Sequence, residues 1–171
     1  MKEVIAVTGA TGALAGSRTH ATDGIALHPI SIAEARIIRD RVLSAGGPAT
    51  RSIYPGDDAP DTLHLGAFVD GQPAAVATVC YEPMPATSNA GQWRLRGMAT
   101  LKEFRRLGLG KRLAEACMAY TRDQQGTLLW CSARVTTLRF YRGLGLQEQG
   151  QSFQLPEYSD EVYILMRRAL P

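Results

Sequence analysis

The residues best suited to chemistry lie in one short segment, 102–112, in which basic side chains alternate with two glycines. A strand-like apolar run precedes this segment and a helical pattern follows it, so the glycines fall where a helix begins. The first N–H groups of a helix have no intrahelical partner and carry the positive end of its dipole, and glycine lets an anion approach the main chain. The segment is therefore predicted to bind a phosphate group. Its basic residues and glycines are Lys102, Arg105, Arg106, Lys111, Arg112, Gly108 and Gly110.

A simpler interpretation of this segment is a solvated basic helix start with glycines in an ordinary turn. Glycine in the first turns of a helix costs up to about 1 kcal/mol relative to alanine, so two glycines favour a compensating ligand. The spacing excludes an ATP-type loop, which requires glycine at the position of Arg105 and Ser or Thr at the position of Arg112. A dinucleotide-binding loop also matches poorly.

The histidines and cysteines do not form a second chemical cluster. The three histidines are scattered, and no pair has metal-site or catalytic-triad spacing. The three cysteines lie far apart in apolar stretches, which argues against a disulfide framework or a CxxC metal site. No metal is therefore predicted. These residues are His20, His28, His64, Cys80, Cys117 and Cys131.

The composition is that of a single globular domain. The chain has 171 residues, 45% of them hydrophobic, and a net charge of +3. This charge is too small to indicate nucleic-acid or membrane binding, and no run approaches the roughly 20 apolar residues of a membrane helix. We expect a cytoplasmic protein, because the cysteines suit a reducing compartment.

The elements that must position segment 102–112 begin with a strand at Ile25–Pro29. Ser31 and Glu34 have the spacing of a capping box and start a helix that ends before Gly46. The apolar positions predicted to form the buried face of this helix are Ala33, Ile37, Ile38, Val42 and Leu43.

A β-hairpin follows, because Leu63–Val69 and Gln72–Tyr81 are strand-like runs separated by Asp70-Gly71. Thr127–Cys131 is a continuous apolar run typical of a strand that is buried on both faces and parallel to its neighbour. The other predicted elements are a strand at Trp93–Thr100, helices at Gly110–Arg122 and Val135–Leu144, and strands at Gln151–Leu155 and Glu161–Met166.

Two motifs resemble those of the GNAT family of N-acetyltransferases. Arg105-x-x-Gly108-x-Gly110, between a strand and a helix, is similar to the family's coenzyme A signature. Phe140-Tyr141-Arg142-Gly143-Leu144-Gly145-Leu146, after an apolar strand, is similar to the family's Phe-Tyr-x-x-x-Gly-Phe segment. The order of the elements also resembles the family over nearly all of the chain after residue 24.

The resemblance implies an α/β (α+β) fold: a mixed central sheet of about six to seven strands, with one splayed strand pair, flanked by helices. It implies an N-acetyltransferase domain at residues 23–171 and an extension at residues 1–22. The implied activity is transfer of an acetyl group from acetyl-coenzyme A, without a metal, to a primary amine of a small molecule or peptide by direct attack in a ternary complex. Homodimers are common among similar proteins.

The resemblance also assigns site residues. The pyrophosphate is expected on main-chain N–H groups of the loop, with side-chain charge added. The strand before the loop is expected to splay at a bulge and to present unpaired main-chain groups to the pantetheine arm and the acetyl carbonyl. The cofactor-binding residues are Met98, Ala99, Thr100, Arg105, Arg106, Leu107, Gly108, Leu109, Gly110 and Lys111.

Tyr141 occupies the position at which the family often places the general acid that protonates the departing thiolate; the alternative is that it only packs. Glu82 is a candidate general base, with a solvated loop charge or a water chain as alternatives. The acceptor pocket is expected between the loop at residues 54–61 and the strand ends near Tyr81 and Trp93. Three acids of this loop, Asp57, Asp58 and Asp61, are candidates to attract a cationic amine or are part of a plain turn.

Two other functions stay open at this point. One is a non-catalytic sensor of the same fold that binds coenzyme A. The other is an NAD(P)-linked oxidoreductase, suggested by the strand and glycine turn of residues 4–16 with its sequence Thr8-Gly9-Ala10-Thr11-Gly12. The oxidoreductase is disfavoured because the long helix and second strand of a dinucleotide-binding unit do not follow this turn.

Overall fold

The computed structural model describes residues 24–44, 52–87, 90–155 and 158–171. In chain order the elements are β1 (Ile25–Pro29), α1 (Ile32–Leu43), β2 (Leu63–Val69), β3 (Gln72–Tyr81), β4 (Gln92–Thr100), α2 (Leu109–Asp123), β5 (Leu128–Arg134), α3 (Leu138–Gly143), β6 (Gln147–Leu155) and β7 (Tyr158–Ala169). The strands form one mixed sheet of seven in the order β1-β2-β3-β4-β5-β7-β6. The predicted α/β (α+β) class is confirmed. The turn at residues 4–16 and the extension at residues 1–22 lie outside the described residues.

The first four strands form an antiparallel meander. Its central hairpin turns at Asp70 and Gly71, whose φ angles of 49° and 78° are both positive. Two consecutive positive φ angles are typical of a type I′ turn, which matches the right-handed twist of the strands. The hairpin predicted from Asp70-Gly71 is confirmed.

Helix α1 begins with the predicted capping box. The Glu34 N–H donates to the Ser31 hydroxyl at 3.2 Å, and the Ser31 N–H donates to the Glu34 carboxylate at 2.7 Å. The predicted buried face was wrong in part, because Ala33 is exposed and Ile37 is 61% exposed. Instead, the fully buried Arg39 faces the sheet.

The buried guanidinium of Arg39 sets the rotation of α1. Its Nη1 lies 2.6 Å from the Asp57 carboxylate, and its Nη2 donates to the Thr78 hydroxyl. The chain of polar contacts continues from Thr78 to His64 Nδ1 at 2.8 Å and from His64 Nε2 to the Asp57 carbonyl at 2.8 Å. Burial lowers the pKa of His64, so it is neutral and donates through Nε2. A charge without these partners would be too costly to bury.

Strands β4 and β5 are parallel but pair only at residues 92–94 with residues 128–130. Beyond Arg94 they separate, which confirms the splayed pair. On its other edge β4 carries a bulge opposite Ala77, where the register with β3 shifts between Val76 and Thr78. The bulge contains Gly97, whose φ of 59° is in the left-handed region.

The C-terminal half completes the sheet with β7 between β5 and β6. Strands β6 and β7 begin before their predicted limits, at Gln147 and Tyr158, and β7 continues to Ala169. The predicted helix Val135–Leu144 is divided into a 3-10 turn at Val135–Thr137 and the short α3.

The described part of the chain contains neither a candidate membrane-spanning helix nor a candidate metal site. No helix there is long and apolar enough to cross a membrane. No group of three or more His, Cys, Asp or Glu side chains within those ranges is placed to hold a metal ion.

Replacing Asp57 with alanine is expected to destabilise the protein by about 3–5 kcal/mol, because it leaves the buried guanidinium of Arg39 without its carboxylate. Asp58→Ala is the matched control, since Asp58 is the next residue but is exposed, and it should change stability by at most about 0.5 kcal/mol. Urea denaturation of both variants measures the difference. Equal stability of the two variants would contradict the role of the Asp57 carboxylate.

Gly97→Ala is expected to destabilise the bulge for two reasons. A positive φ costs a non-glycine residue about 1–2 kcal/mol, and the added Cβ would lie 2.6 Å from Nε of the fully buried Arg39. Gly71→Ala separates the two costs, because Gly71 has a φ of 78° with nothing within 4 Å of the added atom. In urea denaturation, Gly97→Ala should lose about 1–3 kcal/mol more than Gly71→Ala. A loss no larger than that of Gly71→Ala would show that Arg39 moves aside freely.

Candidate active site

The separation of β4 from β5 opens a cleft of about 780 Å³ that extends to the start of α2, and we call it the α2 cleft. Its walls come from the end of β4, the first turn of α2 and the helix α3. The lining residues from these elements include Met98, Ala99, Thr100, Gly110, Lys111, Phe140 and Tyr141, and Arg105 lines the cleft from the segment between β4 and α2. Six of the ten residues predicted to bind the cofactor therefore line one cavity.

The start of α2 has no side-chain cap and no acidic residue in its first turn. Gly108 is the N-cap with a φ of 75°, and the Arg112 N–H donates to its carbonyl at 3.1 Å. The N–H groups of residues 109–111 precede this bond, so they have no acceptor within the helix. Arg106 also has a positive φ, 67°, although it is not glycine. These features make the helix start an electropositive edge of main-chain donors.

The other predicted cofactor residues lie beside the α2 cleft and do not line it. Leu109 is buried in the core at 1% exposure, and Leu107 is 47% exposed. Arg106 and Gly108 lie on the exposed loop before the helix. Gly110 is close to α3, because an added Cβ there would lie 3.4 Å from the Phe140 ring.

A second, smaller cavity of about 240 Å³ meets the α2 cleft, and we call it the arginine cavity. Its charged lining residues are Arg94 and Arg96 from β4 and Arg134 from β5. Aromatic residues Tyr54 and Tyr163 also line it. The residues that line both cavities are Leu43, Met98, Arg134, Thr137 and Tyr141.

Tyr141 is partly buried where the two cavities meet. Its hydroxyl lies 3.8 Å from the Met98 sulfur, and its ring packs edge to face on Phe140 with centroids 5.0 Å apart. Burial raises the pKa of Tyr141 well above its ordinary value. Burial also raises the pKa of the nearby Cys131 thiol, to about 12. Burial therefore favours the neutral form of the Tyr141 hydroxyl, whereas the charge of Arg134, which lines both cavities, opposes this effect.

Glu82 lies behind the arginine cavity rather than in its lining. One carboxylate oxygen is 2.8 Å from Arg94 Nη1, and the other is 3.3 Å from Arg96 Nη1. The Trp130 indole N–H donates to the Glu82 main-chain carbonyl at 2.7 Å. Both oxygens of Glu82 are therefore occupied by arginines.

The idea that Asp57 attracts a cationic amine was wrong. Its carboxylate is buried, with one oxygen 2.6 Å from Arg39 and the other 3.2 Å from Arg96. Two guanidinium groups of the protein therefore already neutralise the carboxylate charge that would attract a cationic amine. Asp58 is exposed on the same loop and does not line the arginine cavity.

The arginines of the cavity were not among the predicted site residues. Their signal was present in β4, where Arg94 and Arg96 alternate with the buried Trp93 and Leu95. Side chains two apart on a strand point to the same face, so the pattern places two arginines together. No sequence pattern predicts that Arg134 belongs to this site. It lines the cavity because it lies at the end of β5, beyond the point at which β4 and β5 separate.

Comparisons with known proteins agree with this architecture. Residues 38–146 match the model of the acetyltransferase (GNAT) family. The chain is 30% identical over 133 residues to the uncharacterised N-acetyltransferase YitI of Bacillus subtilis, covering 78% of this chain and 89% of that protein.

Solved structures share the fold at lower identity. An acyl-CoA N-acyltransferase from Pseudomonas aeruginosa is 23% identical with a TM-score of 0.63, covering 85% of this chain and 99% of that one. An aminoglycoside 6′-N-acetyltransferase complexed with coenzyme A is 9% identical with a TM-score of 0.66, covering 85% and 97% of the two chains. The family match and the relative support acyl transfer rather than the oxidoreductase alternative. The protein is an acyltransferase and belongs to the acetyltransferase (GNAT) family.

Proposed function

We propose that this protein transfers the acetyl group of acetyl-coenzyme A to a primary amine of a small molecule or peptide, by direct attack within a ternary complex. The observation that carries the proposal is the meeting of two cavities at Tyr141, one of which opens on the uncapped start of α2. Two reactants held in adjoining cavities would react without a covalent enzyme intermediate, and the gain comes from their proximity.

The α2 cleft fits the coenzyme. A diphosphate needs several N–H donors and a positive potential, and the first turn of α2 offers donors without a competing cap or acid. Arg105 and Lys111 line the same cleft and add side-chain charge. Bound acetyl-coenzyme A would supply the activated acetyl thioester.

The end of β4 would hold the pantetheine arm and the acetyl carbonyl. Met98, Ala99 and Thr100 line the α2 cleft, and the pairing of β4 with β5 stops before them at Arg94. Main-chain groups on this edge have no strand partner in β5. N–H donors there would stabilise the negative charge that develops on the carbonyl oxygen during attack.

Tyr141 would donate a proton to the departing sulfur. With ordinary pKa values of about 10 for tyrosine and about 8.5 for a thiol, the transfer is uphill by roughly 2 kcal/mol. Burial raises the pKa of Tyr141 further, which keeps the hydroxyl in its acid form. Desolvation beside the tyrosine would also disfavour a thiolate, so a thiolate formed there would accept the proton more readily.

The assignment of Glu82 as the general base stays a prediction. Its contacts with Arg94 and Arg96 favour a different task, because a carboxylate bound by two guanidinium groups orients them in the cavity wall. Water in the arginine cavity would then take the proton of the amine. The homodimer and the cytoplasmic location also stay predictions.

The main-chain phosphate site can be tested with two isosteric variants, Gly110→Asp and Gly110→Asn. Both add a side chain next to Phe140, so they share any steric loss. The aspartate should bind coenzyme A at least tenfold more weakly than the asparagine, because its charge repels the diphosphate. Isothermal titration calorimetry measures both affinities.

Stability provides the control for this pair, because an acid in the first turn of a helix is stabilising. The aspartate variant should therefore unfold at the same or higher urea concentration than the asparagine variant. Equal coenzyme affinity of the two variants, or no binding to the intact protein, would contradict the proposed site.

Tyr141→Phe is expected to lower kcat by at least about 100-fold, the effect of removing a general acid. The affinity for coenzyme A should not change, since the ring remains. In the intact enzyme, the raised pKa of Tyr141 keeps the acid form present, so activity should not fall with rising pH below about pH 10. Steady-state rates from pH 6 to 10 measure both effects. A protein that binds coenzyme A but acetylates no amine would support the sensor alternative.

A further inference from the structure

We propose that the acceptor is a small amine that also carries a carboxylate, and that Arg94, Arg96 and Arg134 bind this carboxylate in the arginine cavity. The inference rests on the proposed acetyl transfer and specifies its second substrate. Within the described residues, these three arginines are the charged side chains that line the cavity. An acceptor that entered as a simple cation would meet charges of its own sign.

Arg96 provides the sharpest observation. Its side chain is only 8% exposed, and its two terminal nitrogens contact Asp57 and Glu82 at 3.2 and 3.3 Å. Its buried Nε has no hydrogen-bond partner among the described residues, and the same is true of Arg94 Nε. Buried guanidinium N–H groups without acceptors are unfavourable. A carboxylate in the cavity that these residues line would offset this cost through its negative charge, without direct contact with either Nε.

The acids around the cavity neutralise its arginines only in part. Asp57, Glu82 and Glu161 each contact one or two of the arginines, and none of these three acids lines the cavity. The network holds four guanidinium groups, including Arg39, against these three carboxylates. One bound carboxylate would balance it.

The chemistry and size of the cavity favour an acceptor of amino-acid size. A guanidinium presents paired N–H donors that match the two oxygens of a carboxylate. The cavity volume of about 240 Å³ is below the range of about 300–1,000 Å³ that is usual for pockets that hold drug-sized ligands. Tyr54 and Tyr163 add aromatic surface for a compact side chain.

Matched acceptors test the charge requirement. Acetyl transfer from acetyl-coenzyme A would be measured for glycine, β-alanine, leucine and phenylalanine, for their carboxamides, and for the corresponding amines without a carboxyl group. Rates are compared for the unprotonated amine, because the three sets differ in amine pKa. For at least one of these side chains, kcat/KM of the acid should exceed that of its amide by at least about tenfold.

Arg94→Gln tests the cavity itself. Arg94 lines the arginine cavity but not the α2 cleft, and its side chain is 27% exposed, so the variant should fold. It should lower kcat/KM for the acid about tenfold more than kcat/KM for the amide, and leave the KM of acetyl-coenzyme A unchanged because Arg94 does not line the α2 cleft. Arg167→Gln is the control, because Arg167 is exposed and lines neither cavity; this variant should keep the full preference.

The outcomes separate this inference from the proposed function. Transfer to no acceptor of any set overturns this inference, and leaves a peptide amine, which none of the sets contains, as the acceptor in the proposed function. Transfer that prefers amides or plain amines leaves acetyl transfer standing and overturns the carboxylate requirement. An equal loss for acid and amide in Arg94→Gln would make Arg94 a structural residue and would also overturn the proposal.

Discussion

The separation of β4 from β5 is the constraint on which the rest of the site depends. Parallel strands inside a sheet normally pair along their length, because buried main-chain groups need partners. Here pairing stops after Arg94, and residues of both strands beyond that point line the two cavities, with Met98 and Arg134 common to both. Main-chain polar groups that would otherwise be used inside the sheet are thereby available to a ligand.

The buried charge network stabilises the part of β4 that separates from β5. Arg39 from α1 packs beside Gly97 in the bulge of β4, and Asp57 joins Arg39 to Arg96. The Asp57 carboxylate thus connects its own loop to α1 and to β4, the strand that separates from β5. Because both guanidinium groups share this carboxylate, the position of Arg96 in the wall of the arginine cavity depends on Asp57 and Arg39, neither of which lines either cavity.

The sequence predicted the elements that obey local rules. The capping box at Ser31 and the hairpin at Asp70-Gly71 were placed correctly because each depends on residues within a few positions. The rotation of α1 was not predicted. The spacing of apolar residues cannot reveal that Arg39 is buried, because its burial depends on the carboxylate of Asp57, 18 positions away. The glycines of segment 102–112 were enough to predict the α2 cleft. The arginine cavity is formed by residues of both β4 and β5, so it depends on the residue at which the pairing of these strands ends.

The same distinction has a functional consequence. The start of α2, at one wall of the α2 cleft, presents N–H groups of the main chain, which depend on the backbone and on Gly108 and Gly110 rather than on other side chains. The arginine cavity presents side chains, each of which a single substitution can change. A shared fold at 9–23% identity concerns the path of the backbone and leaves the side chains free to differ. Our proposal for the acceptor therefore rests on the side chains of this chain's own cavity, whose charged members are arginines.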